Sequence, residues 1–438
     1  MIKRLGPSAV TAGEAASTAL FPSKLEFNPP AHGVWNIVHV GMLVPEAHQI
    51  YVCAINCMRG VVLTAQEMGL ADRFSCVVLK EEDIVRGTVE KVTLDGIVDV
   101  LRKLEARGSL PPCVMVFPVC THHFLGVSMA HVYRELQRQF PHVDFVRAFM
   151  DPIMKRRISP DQRLRKVMFD PLPTCEADSR LVACLGSDFA LDADCELRDA
   201  LQRGGQSLVE LQDCATYAQY KDLAHAGTLV ATYPNAAYGI EKLARRLERR
   251  YLYLPSSFSF REIRAQHACL HEELGVPLPV FDEEVARCEA ALHAACATLG
   301  NAPIAIDASA HPRPLGLARL LLEHGFNVRE VYLDGVGPEE ETDLGWLHDN
   351  VPDLVLSSIL LPEMRVAPRT RESEMLAIGQ KAAWFTGTLR FVNIVEGAGL
   401  WGFAGIRSMA RLMEEAWATQ KDPRDLVPRK GLGCASCF

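Results

Sequence analysis

Short apolar, β-branched runs alternate with stretches of helical periodicity through most of the chain. FSCVVL (74 to 79) and PCVMVFPVC (112 to 120) have strand length and no polar face, so they predict buried strands, with a helix around 92–106 between them. The second strand feeds a helix over 129–139, DFVRAFM (144 to 150) predicts another strand, and a basic passage at 155–173 marks a boundary. A second unit opens with RLVACLGSDF (180 to 189), passes through the helix DCELRDALQRGG, and returns as SLVELQDC (207 to 214). TLVATY is its last strand, followed by a helix over 236–250. Two long helical stretches, 259–274 and 282–299, carry no strand signal and bridge to a third unit. That unit begins with PIAIDAS (303 to 309), a helix over 316–325 and the strand VREVYLD (328 to 334). DLVLSSILL predicts a further strand, and the remainder includes RFVNIVEG and a helix over 403–417.

Strands alternating with helices in this way are the pattern of parallel sheets covered by helices. The expected fold is α/β, with three Rossmann-like domains of parallel sheets flanked by helices. The expected boundaries are an N-terminal extension at 1–30, domains at 31–175, 176–300 (with the bridging helices) and 301–375, and a helical segment with a cysteine-containing tail at 376–438.

Composition narrows the function. A chain of 438 residues with 49% hydrophobic side chains can bury several cores. The net charge of -8 supplies no basic surplus to neutralise phosphates, so nucleic acid is not expected as a main partner. No apolar stretch reaches the ~18 residues of a membrane span, and the basic head of the chain is not followed by an apolar run. A cytoplasmic protein is expected. Its 14 cysteines should then be reduced thiols. Most, such as Cys76, Cys113 and Cys288, sit in apolar or helical patterns, where cysteine behaves as a small buried hydrophobe.

Three differ. Cys53 and Cys57 stand where a short β-like run passes into a helical pattern, and a helix's positive N-terminal end stabilises thiolates. Cys120 ends the run CVMVFPVC, at the carboxyl edge of an expected parallel sheet, where α/β folds place their sites. Soft thiolate donors at such an edge suit iron. The C-x3-C spacing, with no fourth ligand nearby, is not that of a self-contained zinc site. Spacing alone leaves open that all three are core residues beside loops.

The segments VCAINCMRGVVL, KEEDIVRG (80 to 87) and VFPVCTHHFLG (116 to 126) resemble, in order and separation, the cluster region of nitrogenase component 1 subunits. Cys57 and Cys120 match two ligand positions of that family. Its third cysteine lies about 25 residues earlier, where this chain has none, and Cys53 is the expected replacement. GTLVATYPNAAYGIEKLARRL, HPRPLGLARLLLEHGFNVREVYLDG and GAGLWGFAGIRSMAR are similar to later parts of the same family. The resemblance implies a P-cluster-like iron-sulfur cluster shared with a partner subunit, of four-iron or eight-iron type, held by Cys53, Cys57 and Cys120.

The positions that hold the active-site cofactor in the family's catalytic subunit fall here on Thr232 and near Val392, neither of which is a cluster ligand. The resemblance therefore implies a β-type subunit paired with an α-type partner, as an α2β2 heterotetramer, with a separate iron protein that uses ATP and docks transiently. No P-loop is present in this chain. The pairing of C-x3-C with RGVVL and CTHHFLG resembles the nitrogenase-like branch that includes methylthio-alkane reductase, which implies reductive C–S cleavage. The rival expectations are a cofactor maturation scaffold and a metal-free α/β ligand-binding protein. His122 and His123, next to Cys120, are secondary candidates as proton donor or ligand, and so are Cys434 and Cys437, a C-x2-C in the tail.

Overall fold

The computed structural model describes residues 8–15, 20–22, 37–149, 158–366 and 374–422. Strands form three separate sheets, and the chain divides into two compact units, one built on residues 34–188 and 208–253, the other on 1–33, 189–207 and 254–438. The α/β class with parallel strands flanked by helices is as expected.

Strand β1 (Ala9–Thr11) opens the described chain and belongs to the second unit. The first unit begins with α1 (Ile37–Met42), β2 (Ala47–Cys53), α2 (Ile55–Glu67), β3 (Phe74–Val78), α3 (Glu81–Val85) and α4 (Val89–Ala106). It continues with β4 (Cys113–Pro118), α5 (Cys120–Phe124), α6 (Met129–Gln139), β5 (Asp144–Arg147) and α7 (Pro160–Val167). The four strands pair in parallel in the order β3-β2-β4-β5. β2 and β4 are buried along their whole length, because helices cover both faces. Alternation then sorts the side chains. Ile50, Val52, Val114 and Val116 face one core, against which α4 packs Val89, Ile97 and Leu101, members with Thr93 of a buried stripe spaced every four residues. Tyr51, Cys53, Met115 and Phe117 face the other core. There Tyr51 stacks on Phe117 with ring centroids 4.4 Å apart.

The same unit carries a second sheet, β7-β6-β8-β9, from β6 (Asp178–Cys184), β7 (Ser207–Glu210), β8 (Ala226–Ala231) and β9 (Arg250–Tyr253), in which β8 pairs in parallel with both β6 and β9. Between these strands come α8 (Glu196–Arg203), which belongs to the other unit, then α9 (Tyr217–Asp222) and α10 (Pro234–Leu247). Helix α10 packs on α7 at Gly239, where a Cβ would stand 2.7 Å from the Arg165 carbonyl oxygen, so only glycine permits this approach.

In the second unit, α11 (Phe260–Leu274) and α12 (Phe281–Leu299) precede β10 (Pro303–Asp307), α13 (Pro314–Glu323), β11 (Asn327–Tyr332), α14 (Glu341–Asn350) and β12 (Val355–Ser357). β13 (Leu376–Ile378), α15 (Gln380–Thr386), β14 (Arg390–Val392) and α16 (Gly402–Ala418) follow. The sheet runs β1-β12-β11-β10-β13-β14, parallel except for β1, which pairs antiparallel with β12. Helix α12 turns Cys288, Leu292, Ala295 and Leu299 inward against the Phe403, Ile406, Met409 and Met413 face of α16. No helix among the described residues is long and apolar enough to cross a membrane.

Several expected strands are shorter in the structure. DLVLSSILL keeps only Val355–Ser357 in the sheet, because the Asp334 carboxylate accepts hydrogen bonds from the Ser358 hydroxyl and from the Ile359 and Leu360 N–H groups, turning the chain away. The run at 112–120 leaves the ladder after Pro118, whose ring nitrogen has no hydrogen to donate, so Cys120 opens a helix rather than ending a strand. β13, only three residues long, carries too short a pattern to predict.

Candidate functional site

Three neighbouring strands of the first sheet, β3, β2 and β4, end at one edge, and a helix begins just beyond each of them. The parallel register pairs Val52 with Pro118 and Cys53 with Val78, so the turns that follow these residues emerge side by side. Carboxyl edges of parallel sheets are where α/β folds bind ligands, since loops there are free of strand pairing.

The cysteines of this edge differ in depth. Cys53 is the last residue of β2, with its side chain on the Tyr51 face, and it is 0% exposed. Burial pushes its thiol up to about 12, and the nearby Cys76 and Cys57 add to the effect. Cys57 is the third residue of α2, in its first turn, and is exposed. Cys120 is the first residue of α5 and is half-buried. Neither helix has a side-chain cap: the N-cap residues Ala54 and Val119 have no side-chain oxygen, and only their backbone carbonyls accept a first-turn N–H, from Cys57 at 2.9 Å and from His122 at 3.1 Å. Two soft sulfur donors beside uncapped helix starts favour an anionic partner and fit the thiolate share of an iron-sulfur cluster. Cys53 does not fit the same role as it stands, since its sulfur is enclosed by the core. Among the described residues, no three of His, Cys, Asp or Glu converge in a group that could hold a metal ion.

The histidines beside Cys120 also separate. His122 is buried, its Nε2 lies 3.0 Å from the Thr93 hydroxyl, and its Nδ1 lies 3.3 Å from the Val119 carbonyl oxygen. Burial lowers its pKa, so it is a neutral ring that ties α5 to α4. His123 is exposed and meets Phe124 edge-on. Thr232 directly follows β8, buried, with its hydroxyl 3.9 Å from the Cys184 sulfur. Val392 ends β14 in the core of the other unit. Cys434 and Cys437 lie outside the described residues.

Cysteine spacing did not reveal the apolar surface around this edge. Of the ten large apolar side chains exposed among the described residues, six belong to these three strand ends: Ile55, Val78, Ile84, Val85, Phe124 and Leu125. Val85 at 86%, Ile55 at 69% and Phe124 at 66% stand almost free of the chain. Apolar side chains concentrated in this way form the kind of surface that can dock another molecule. The sequence signal was faint, an apolar pair after the acidic run of KEEDIVRG and another after the two histidines.

No protein-family model matches the chain, and no curated protein matches it. Solved structures do. A structure described as nitrogenase Cp1 at pH 6.5 superposes with a TM-score of 0.69 at 11% identity, over 91% of this chain and 94% of that one. Another, nitrogenase Cp1 at pH 5, gives a TM-score of 0.57 at 13% identity, over 94% of each. The chain therefore has the nitrogenase component 1 fold.

Proposed function

We propose that this chain is the β-type, cluster-holding subunit of a nitrogenase-like two-component reductase. The observation that carries this reading is the coincidence, on one sheet edge, of the Cys57 and Cys120 thiols with six exposed apolar side chains. The fold shared with nitrogenase component 1 supports it. Cys57 and Cys120 would hold an iron-sulfur cluster at the contact with an α-type partner. When bound, such a cluster supplies an electron store between an ATP-using iron protein and the catalytic subunit.

The residues of this chain account for the rest of the site. Ile55, Val85 and Phe124 would bury against the partner and exclude water, which lowers the dielectric around the thiolates. The uncapped N–H groups of α2 and α5 would offset negative charge held there. Thr232 and Val392 provide no soft ligand, so substrate chemistry falls to the partner. The reaction we favour is reductive cleavage of a small methylthio-alkane. Two electrons from the iron protein and two protons break the C–S bond and give a thiol and a hydrocarbon.

The test is anaerobic isolation of the complex through a tag on this chain, followed by assay with the iron protein, ATP and a thioether. Thiol release that depends on reductant and ATP supports the reading. Transfer of bound cluster to an apoprotein without turnover would favour a maturation scaffold. A colourless, iron-free complex would favour a ligand-binding protein whose cysteines only pack.

A further inference from the structure

The resemblance to nitrogenase component 1 implies three thiolates from each chain, and the structure does not bring three to the edge. The sequence holds no cysteine before Cys53, so the family's earlier ligand position has no thiol anywhere upstream. Cys53 itself points into the core shared with Tyr51, Met115 and Phe117, and strand alternation fixes it there, because turning it outward would turn the apolar set of β2 with it. The Cys53 carbonyl also accepts the Leu79 N–H at 3.0 Å, pinning the strand end against β3. Cys76 lies within β3, opposite Tyr51 in the register, two residues short of the edge. Two thiols remain, Cys57 and Cys120, each on the first turn of a helix that follows a strand.

Resting on the functional reading above, we infer that this chain gives two thiolates, Cys57 and Cys120, to a four-iron cluster that the partner subunit completes with two more. A four-iron cube has one terminal position per iron, and four cysteines saturate it. Two from each side of an interface meet that count with no contribution from Cys53. The larger cluster, with its three thiolates per chain, would leave terminal positions unfilled here. The patch around the site agrees with a shared cluster: its exposed apolar side chains come from the same three strand ends, so covering it and completing the cluster are one event.

The experiment compares iron and acid-labile sulfide in the anaerobic complex with and without the double substitution Cys57→Ala/Cys120→Ala. Taking the difference removes iron held elsewhere in the partner. The inference expects a loss of about four irons per interface, as four cysteine ligands require. Cys53→Ala, and separately Cys434→Ser/Cys437→Ser, should keep wild-type iron. A second measurement needs no variant of Cys53: after chelation of the iron, iodoacetamide should newly label Cys57 and Cys120 while Cys53 stays unlabelled. A loss of about eight irons, labelling of Cys53 on chelation, or iron loss in the tail variant overturns the inference and leaves the cluster-holding function standing. A wild-type complex without iron overturns both.

Discussion

Cys53 and Cys57 are four residues apart in sequence and lie on opposite sides of the solvent boundary. The first is enclosed in the core at the end of β2, and the second is exposed on the first turn of α2. Their substitutions should therefore affect stability differently. Cys53→Ala removes a buried atom between packed side chains and should cost about 1 kcal/mol, as small core truncations do. Cys57→Ala in the isolated subunit should stay within about 0.5 kcal/mol of wild type, as exposed positions do. Urea melts of the metal-free chain read both. Equal costs would mean that Cys57 is buried as well.

The apolar edge predicts an assembly defect without a folding defect. Val85→Asp and Phe124→Asp place charge where a partner is expected to close, while touching nothing in the core. Each should lower the mass of the tagged complex in analytical ultracentrifugation, with an unchanged melting curve for the separate chain. Retention of the wild-type mass in both variants would show that the patch is not covered by the partner.

A part-buried capping arrangement in the second unit should be intolerant of change. The Glu196 carboxylate accepts from the Phe403 and Ala404 N–H groups at the start of α16. Gly402, with φ of +65°, leaves the room for it, since a Cβ there would collide with that carboxylate. Gly402→Ala combines a left-handed backbone with this collision and should cost about 3 kcal/mol or more. Glu196→Gln keeps the shape but loses the charge facing the helix start, and should cost about 1 kcal/mol. Chemical denaturation separates the two, and a near-neutral Gly402→Ala would contradict the described packing.

His311 predicts a pH dependence of stability. Its Nδ1 accepts from the Arg313 N–H at 3.0 Å, which leaves the proton on Nε2, 3.0 Å from the Ser256 hydroxyl. That hydroxyl donates in turn to the Leu400 carbonyl oxygen. A second proton would break the first bond and add a charge beside Arg313, and burial, followed by the Arg313 charge, lowers the His311 pKa from 6.5 to about 3. Between those values the unfolded chain binds a proton that the folded chain does not. Stability contributed by this group is thus complete above pH 6.5 and is lost as pH falls toward 3, by up to about 1.4 kcal/mol per pH unit. His48, lowered to about 4 first by burial and then by Arg73, acts in the same direction. Denaturation midpoints measured from pH 7 to 4 should fall, and His311→Gln should flatten the slope. An unchanged slope in the variant would place the sensitivity elsewhere.

The first sheet was largely legible in the sequence because its central strands are covered on both sides. PCVMVFPVC has no polar face, and helix α4 repeats Val89, Ile97 and Leu101 on one side, so periodicity alone finds both. β13 and the early end of β12 were not legible. Three-residue strands carry no period, and the turn after Ser357 is made by Asp334, a residue distant in sequence. The candidate site divided in the same way. Cys57 and Cys120 were marked by their position between strand and helix patterns, whereas the commitment of His122 to Thr93 depends on a contact 29 residues away.

By itself, the sequence determined which segments alternate as strands and helices, and which thiols lie at strand ends, because both depend on local pattern. It could not determine whether Cys53 or Cys57 faces outward. That depends on the parity of β2 against β4 and on where α2 leaves the sheet, and parity is decided only when Tyr51 stacks on Phe117 and one face of the strand is closed by the core. The exposure of Ile55, Val85 and Phe124 was decided at the same level. An apolar side chain becomes an interface only when the fold has filled its core without it.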